Sequence, residues 1–311
     1  MNHFGEIISL AVAVSWTITA IYADKASHRL GSMTANVLRL SMAALFLAGL
    51  LWIAVGYPYP VYADGKAWFW LALSAIVGYL FGDWCLFNCY ISIGARFGQL
   101  FMTLAPPIAA FAGWMILGET LSWKSFIAMA VTLSGIAISI LSRDADHHVK
   151  LSLPLKGILL GLGAGLGQGV GLVLSKVGML HYEQSVPADA PLLMDEMLPF
   201  ASTMIRALVG GAGFMLMMAL QKDMPKLKEA ARDRIGMSYA LIMTLTGPVF
   251  GVSLSLMAVQ YANAGIASTL MALTPVLILI PYALIYKKKI KEKEIIGVAV
   301  SMLGVALFFL L

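Results

Sequence analysis

The sequence has 311 residues, of which 60% are hydrophobic and only 12% are charged. A soluble domain is typically about 45–50% apolar and about 25% charged, so this composition excludes an ordinary soluble protein. It also excludes a disordered or collagen-like chain. The net charge of +5 could suggest a nucleic-acid partner, but multi-pass membrane proteins are basic because their loops carry Lys and Arg. We therefore expect membrane lipids, and no nucleic acid, as partners.

Ten apolar runs follow one another along the chain, and a membrane-spanning helix needs about 20 such residues. We number them as spans 1 to 10: residues 4–24, 33–55, 67–90, 95–118, 122–142, 155–176, 200–220, 236–261, 264–286 and 294–311. Backbone that faces lipid must satisfy its own hydrogen bonds, so each run is predicted to be a helix. The first run contains Glu6 and lacks a basic segment before it, so we expect a retained helix rather than a signal peptide.

The two halves of the chain match when one is shifted by 169 residues. GYLFG at 78–82 then meets GPVFG at 247–251, Pro106 meets Pro275, and Gly135 meets Gly304. The expected domains are a first five-helix repeat at 1–142, a polar linker at 143–154 and a second repeat at 155–311. Because five is odd, the second repeat would cross the membrane in the opposite sense, as in many secondary transporters. The predicted fold is an all-α integral membrane protein of ten helices in two inverted repeats.

The segment LAPPIAAFAGWMILGETLSW at 104–123 carries a proline followed about a dozen residues later by Gly118 and Glu119. In the second half the proline recurs, but Lys288 stands where the acid would fall. On these residues the chain resembles the EamA family of the drug/metabolite transporter superfamily. The resemblance implies a ten-helix carrier with a central cavity between its halves and with spans 5 and 10 at the periphery. Taken by itself, Glu119 would be an exposed acid at a helix end.

The distribution of positive charge gives one orientation, and the resemblance gives the opposite one. Of the 21 Lys and Arg residues, 16 fall in the odd-numbered loops and three on the even side. The positive-inside rule therefore places the odd loops in the cytoplasm and both termini outside. Relatives of the resembled family are usually drawn with both termini inside.

Three charged residues lie clearly within spans, where charge is costly: Arg39, Asp83 and Arg206. Arg39 and Asp83 lie at similar depth, which permits an ion pair between spans 2 and 3. The pair could simply lock the two helices together. Alternatively, Asp83 takes part in proton coupling or binds substrate, with Arg39 setting its affinity for protons. Arg206 is predicted to reach lipid headgroups, or else to form a gate or contact an anionic substrate.

Other residues are candidates because they are polar or aromatic at mid-membrane depth. Gln168 lies in the glycine-rich stretch 161–171 of span 6, whose two rows of glycines are expected on opposite helix faces. The predicted substrate-binding residues are Trp16, Tyr79, Asp83, Thr103, Gln168 and Thr274. Pro106 and Pro275 are predicted to kink spans 4 and 9 and to act as hinges. Weaker candidates, read rather as contacts between helices, are Asn88, Thr246 and Gln260.

These features predict a secondary transporter of small metabolites, with amino acids or related compounds as one option, in the cytoplasmic membrane. The same-class rival is an exporter of lipophilic cations. The rivals of another class are an intramembrane enzyme, which would need a cluster of catalytic residues, and a channel or scaffold. The five histidines fall outside spans or at their ends, and Cys85 and Cys89 are read as core residues. We expect no cofactor and no metal, a small-molecule substrate, and a monomer or homodimer.

Overall fold

The computed structural model describes residues 3–140, 154–277, 281 and 292–310, and over these ranges the regular structure is entirely helical. Most of the predicted linker, the end of span 9 and the lysine run at 287–291 lie outside the described residues. In the first half the helical segments are α1 (Phe4–Leu30), α2 (Ser32–Val55), α3 (Gly65–Ala75), the π-helical π1 (Ile76–Asp83), α4 (Trp84–Met102), α5 (Ala105–Leu117) and α6 (Trp123–Ile140).

The second half repeats this order with longer helices at its start. Its segments are α7 (Leu155–Ser185), α8 (Met194–Leu220), the short α9 (Pro225–Arg232), α10 (Arg234–Thr244), the π-helical π2 (Leu245–Val252), α11 (Ser253–Tyr261), α12 (Ala264–Met271), α13 (Thr274–Leu277) and α14 (Glu292–Leu310). Three predicted boundaries were wrong by six residues or more. Span 1 continues six residues past residue 24, to Leu30. Span 6 continues nine residues past Lys176, and span 7 begins at Met194 rather than at residue 200.

Among the residues that the structure describes, six helical stretches are long and apolar enough to cross a bilayer. They are Phe4–Leu30, Ser32–Val55, Gly65–Ala95, Leu155–Ser185, Met194–Leu220 and Arg234–Tyr261. Three further apolar helices are shorter: Ala105–Leu117, Ala264–Leu277 and Ile295–Leu307. Large apolar side chains such as Ile53, Phe111 and Trp123 are exposed on the outside of the bundle, where a membrane protein meets lipid. The protein is therefore an all-α membrane protein.

The two π-helical segments lie 169 residues apart at both ends, which is the shift that aligns the two halves of the sequence. Each contains the matched glycines and joins two α-helices into one long span. π-Helical turns are rare and occur often at functional sites. In the structure π1 packs against α7, and π2 packs against α1. The repeat detected in the sequence is thus also a repeat of an uncommon backbone geometry.

Spans 4 and 9 are interrupted rather than kinked. The helix stops at Thr103–Leu104 in the first half and at Ala272–Leu273 in the second, again 169 residues apart. Pro106 and Pro275 follow in the first turn of the next helical segment. Proline is tolerated there because the amide of that position has no partner inside the helix. The expectation of a proline kink in the middle of each helix was therefore wrong in its geometry.

The last helices of the two halves pack against each other through equivalent small residues. A Cβ atom on Gly135 would lie 2.3 Å from the Ser301 nitrogen, and one on Gly304 would lie 2.4 Å from the Thr132 nitrogen. Thr132 and Ser301 are also related by the shift of 169. Along this contact the residue number rises in α6 as it falls in α14, so the two helices run antiparallel.

The two glycine rows of α7 lie against two different neighbours, as the sequence predicts. Cβ atoms on Gly161 and Gly165 would collide with Phe101 of α4. On the other face, a Cβ on Gly167 would lie 2.6 Å from the Cα of Gly82 in π1. Because lipid offers little hydrophobic drive between helices, such close backbone contact is a main source of attraction. α7 therefore holds span 3 and span 4 on either side of itself.

Candidate functional site

A cavity lies between the two halves, at the level of the π-helical segments and the helix breaks. It consists of two adjoining chambers with about 610 and 560 Å³ of empty space, volumes that include space open to the solvent. Both chambers are lined by Trp16, Tyr79, Gln99, Met102, Gln168 and Val252. Of the ten residues predicted for binding, coupling or hinges, nine line one chamber or both. Thr103 lies at the break in span 4 and is absent from the described lining.

Asp83 lies at the centre of a polar cluster in the second chamber. One carboxylate oxygen is paired with Arg39, and the other accepts a hydrogen bond of 2.6 Å from the Gln168 amide. The same amide nitrogen also donates to the Gly78 carbonyl at 3.3 Å. Asp83 and Arg39 are 4% and 5% exposed. The predicted ion pair is confirmed, and it joins spans 2 and 3 to α7 of the second half through Gln168.

Arg206 lies in the first chamber and does not reach toward headgroups. It occupies the centre of α8 and is 4% exposed, so the predicted snorkelling was wrong. The reason is the early start of α8, which places Arg206 deeper than the sequence boundary suggested. Its guanidinium carbon lies 4.5 Å from the Tyr79 ring centre, and that of Arg39 lies 5.6 Å from the same ring. Tyr79 therefore stands beside both cations, an arrangement that stabilises positive charge.

Trp16 and Thr274 complete the wall on the side of span 1 and span 9. A Cβ on Gly251 of π2 would lie 2.8 Å from the Trp16 ring, so this glycine makes room for the indole. The Thr274 hydroxyl donates to Met271 O at 3.0 Å and lies 3.3 Å from Ala13 O. The helix α1, which carries Trp16, packs on π2, and α7 packs on π1 in the same way. The Trp16 ring borders both chambers.

Sequence reasoning missed several lining residues. Gln99 is buried and its amide donates to the Tyr90 hydroxyl at 2.6 Å, across the break at Gly94 that divides α4 between the end of span 3 and the start of span 4. Ser255 and Ser268 border the first chamber. Gln99 is a polar residue inside an apolar run, which is the signal that could have drawn attention to it. The serines carry no such signal, since small hydroxyl residues are common wherever membrane helices pack.

Two of the three weaker candidates, Asn88 and Thr246, form contacts between helices. Asn88 accepts a hydrogen bond of 3.1 Å from Ser32, and the Thr19 hydroxyl donates to Thr246 at 2.9 Å. The buried Gln260 oxygen has no partner among the described residues. For Asn88 and Thr246 the reading as interhelical contacts is confirmed.

Glu119 is not the exposed acid that the sequence suggested. One of its oxygens lies 2.6 Å from the Lys176 ammonium, and the other accepts a hydrogen bond of 2.9 Å from the Ala264 nitrogen. Lys176 also donates to the Ala262 carbonyl at 2.9 Å. Both charged side chains are 14% exposed. These four groups, which we call the Glu119–Lys176 latch, tie the end of span 4, span 6 and the turn between spans 8 and 9 together.

A second, exposed ion pair joins the two halves outside the spans. Arg29 at the end of α1 pairs with Asp233, which also caps α10 by accepting from the Gly236 nitrogen at 3.1 Å. The hydrogen bond from Arg29 lowers the pKa of Asp233 from its ordinary value. Cys85 and Cys89 are free and buried, as predicted, and pack in an apolar cluster. Within the described ranges, no three potential metal-ligating side chains lie close enough together to hold a metal ion.

Long apolar helices around a partly polar cavity define a multi-pass membrane protein with an internal cavity. The sequence model of the EamA-like transporter family matches residues 3–141 and 155–310, once in each half. The chain belongs to this family, whose members are membrane transporters of small molecules. A solved crystal structure of a protein is similar over 100% of this chain and 98% of its own, with 14% identity and a TM-score of 0.69. At that identity the likeness shows the fold alone. No curated protein matches the chain.

Proposed function

We propose that the protein is a secondary carrier that moves a small metabolite across the cytoplasmic membrane by alternating access. The observation that carries this proposal is the cavity between the halves, whose lining holds the three intramembrane charges of the described spans. Charged groups at this depth are expensive and mark substrate or ion pathways. The matched π-helical segments and helix breaks beside the cavity supply backbone that can change shape.

The proposed architecture is two inverted five-helix repeats, at 1–142 and 155–311, joined by the linker 143–154. The contact between α6 and α14 supports inversion, because equivalent residues of the two halves meet with their helices antiparallel. Such a contact has the form of a two-fold interface. Gly135 meets Ser301, and their equivalents in the other half, Gly304 and Thr132, meet in the same way. In inverted-repeat carriers the substrate site lies near the midplane between the repeats. The cavity between the two halves, at the level of the π-helical segments, supports the same arrangement here.

In the proposed cycle, the polar contacts at the two ends of the bundle break in turn. At one end the Glu119–Lys176 latch ties span 4 and span 6 to the turn before span 9. Toward the other, Asp83 ties span 2 and span 6 to span 3. The breaks before Pro106 and Pro275 lie against the first chamber, so a movement at either break changes its lining. Those breaks are the proposed hinges.

The rival export of lipophilic cations has less support. A cation site of that kind needs a free buried acid, whereas both oxygens of Asp83 are already engaged. The described lining also contains two arginines against one acid.

Proton coupling through Asp83 stays part of the proposal, because proton binding would release Arg39 and Gln168 together. A small-molecule substrate, lipid contacts and a monomer or homodimer complete it.

A thermal-shift screen of metabolites on the purified protein, followed by counterflow in liposomes, tests the proposal. A carrier loaded inside with unlabelled substrate accumulates labelled substrate transiently above equilibrium. A channel brings the label only to equilibrium, and liposomes without protein give the leak rate. Stabilising compounds that all fail to show counterflow would contradict the carrier mechanism.

A further inference from the structure

Arg206 is a charged residue of the cavity lining that has no role in the cycle proposed above. It lies twelve residues after Met194 and fourteen before Leu220, which is about 18 Å along the helix from its N-terminal end. The side chain is 96% buried and borders the first chamber. Its position thus matches the depth at which inverted-repeat carriers bind substrate.

The Arg206 guanidinium has no acidic partner among the residues that the structure describes. Its Nε atom is buried without a hydrogen bond, and its closest charge-stabilising neighbour is the face of Tyr79. The hydroxyl of Tyr79 is likewise buried without a partner. Arg39 differs, because Asp83 neutralises it. A cation that is kept buried and unpaired is costly unless another charge joins it.

We propose, on the basis of the carrier function above, that Arg206 binds the carboxylate of a monoanionic substrate with an apolar or aromatic body. Arg39 and Asp83 cancel, so the charged side chains of the described lining sum to +1, and one carboxylate balances them. A guanidinium matches a carboxylate because its donors form a planar fork. Trp16, Leu172 and Met271 border the same chamber and provide the apolar surface for the rest of the molecule.

The test uses three probes that share one phenylpropyl body: 3-phenylpropanoate, 3-phenylpropan-1-ol and 3-phenylpropylammonium. Their affinities are measured on the full-length protein in nanodiscs, for the wild type, Arg206→Gln and Arg206→Lys. The control is Arg29→Gln, which removes an arginine outside the spans. The wild type and the control should bind the anion at least about tenfold more tightly than the other two probes. Arg206→Gln should lose this preference, and Arg206→Lys should retain part of it.

A second measurement needs no ligand. Arg206→Gln removes an unpaired buried charge and should leave the Tm of the ligand-free protein unchanged or higher. Arg39→Gln leaves Asp83 as an unpaired buried charge and should lower the Tm.

The proposal is overturned if the wild type fails to bind the anion or shows no charge preference, or if Arg206→Gln keeps the preference for the anion. A lower Tm of Arg206→Gln with unchanged preference would assign Arg206 a packing role. Counterflow of a neutral or cationic metabolite that survives Arg206→Gln would sink this inference and leave the carrier function standing.

Discussion

Both carboxylate oxygens of Asp83 already have partners in the structure, and this limits the roles that Asp83 can play. Arg39 holds one oxygen and Gln168 holds the other, so substrate or proton reaches the carboxylate only if a contact breaks. The sequence could predict the pair with Arg39, since both residues lie inside spans at similar depth. It could not predict the amide of Gln168, because the rotation of α7 about its own axis depends on glycine packing on both of its faces.

Replacement of Asp83 by asparagine tests its part in coupling. We expect Asp83→Asn to abolish the pH dependence of uptake and to lower the Tm, because Arg39 is left as an unpaired buried charge. Breaking a buried pair in this way costs about 3–5 kcal/mol. The measurement is uptake of the substrate found by counterflow, as a function of external pH, together with the Tm of each variant.

The double variant Asp83→Asn with Arg39→Gln separates coupling from packing. It removes both charges, so it should recover much of the lost stability while uptake remains insensitive to pH. Uptake with wild-type rate and wild-type pH dependence in the double variant would remove Asp83 from the mechanism.

The Glu119–Lys176 latch gives a second test at the scale of single side chains. Glu119→Gln leaves the Lys176 ammonium buried without its acid, so we expect a loss of about 3–5 kcal/mol in stability. Adding Lys176→Met removes the stranded charge and should restore most of it. The double-mutant cycle is measured by thermal or denaturant unfolding. Additive losses in the double variant would mean that the two residues do not interact.

At the scale of helices, the sequence was sufficient to predict the repeat but not the backbone geometry. Matched glycines and prolines at a shift of 169 align the two halves in the sequence. The π-helical turns and the breaks at Thr103 and Ala272 depend on how neighbouring helices approach, which no single segment encodes. The start of α8 was missed for a local reason. Its first turns carry acids and Pro199, which resemble a loop, although acids are favourable at a helix N-terminus.

The contact between α7 and π1 makes a sharp prediction about glycine. In Gly167→Ala the new methyl group would lie 2.6 Å from the Cα of Gly82, so one backbone has to move. We expect a loss of about 1–3 kcal/mol, the usual cost of overpacking, and lower uptake. The matched control is Gly49→Ala in α2, where a Cβ meets nothing within 4 Å. Equal Tm values for the two variants would contradict the close contact.

At the scale of the whole molecule, composition and hydropathy were sufficient to predict an all-α membrane protein, and the family match supports transport. The cavity residues were largely predictable because a polar or aromatic residue inside an apolar span is rare. Arg206 was found for that reason, but its environment was not, since its depth depended on a helix boundary. The serines of the lining could not be predicted, because hydroxyl residues are frequent throughout these helices.

Orientation in the membrane is a prediction that belongs to the whole chain. The bias of 16 positive residues to three favours odd loops in the cytoplasm and both termini outside. A reporter that is active only in the cytoplasm should therefore stay inactive at the C-terminus. The control is the same reporter inserted after Lys222, which lies in the loop between spans 7 and 8 and should be active. The reverse pattern would favour the orientation of the resembled family.

The Glu119–Lys176 latch has a consequence for the ionic environment of the protein. Each charge is also bonded to backbone, Lys176 to the carbonyl of Ala262 and Glu119 to the amide of Ala264, where one helix has ended and the next begins. Dissolved salt screens exposed charges across about 8 Å at physiological strength, but it screens enclosed pairs much less. This end of the bundle should therefore stay closed in concentrated salt, while the exposed pair of Arg29 and Asp233 weakens.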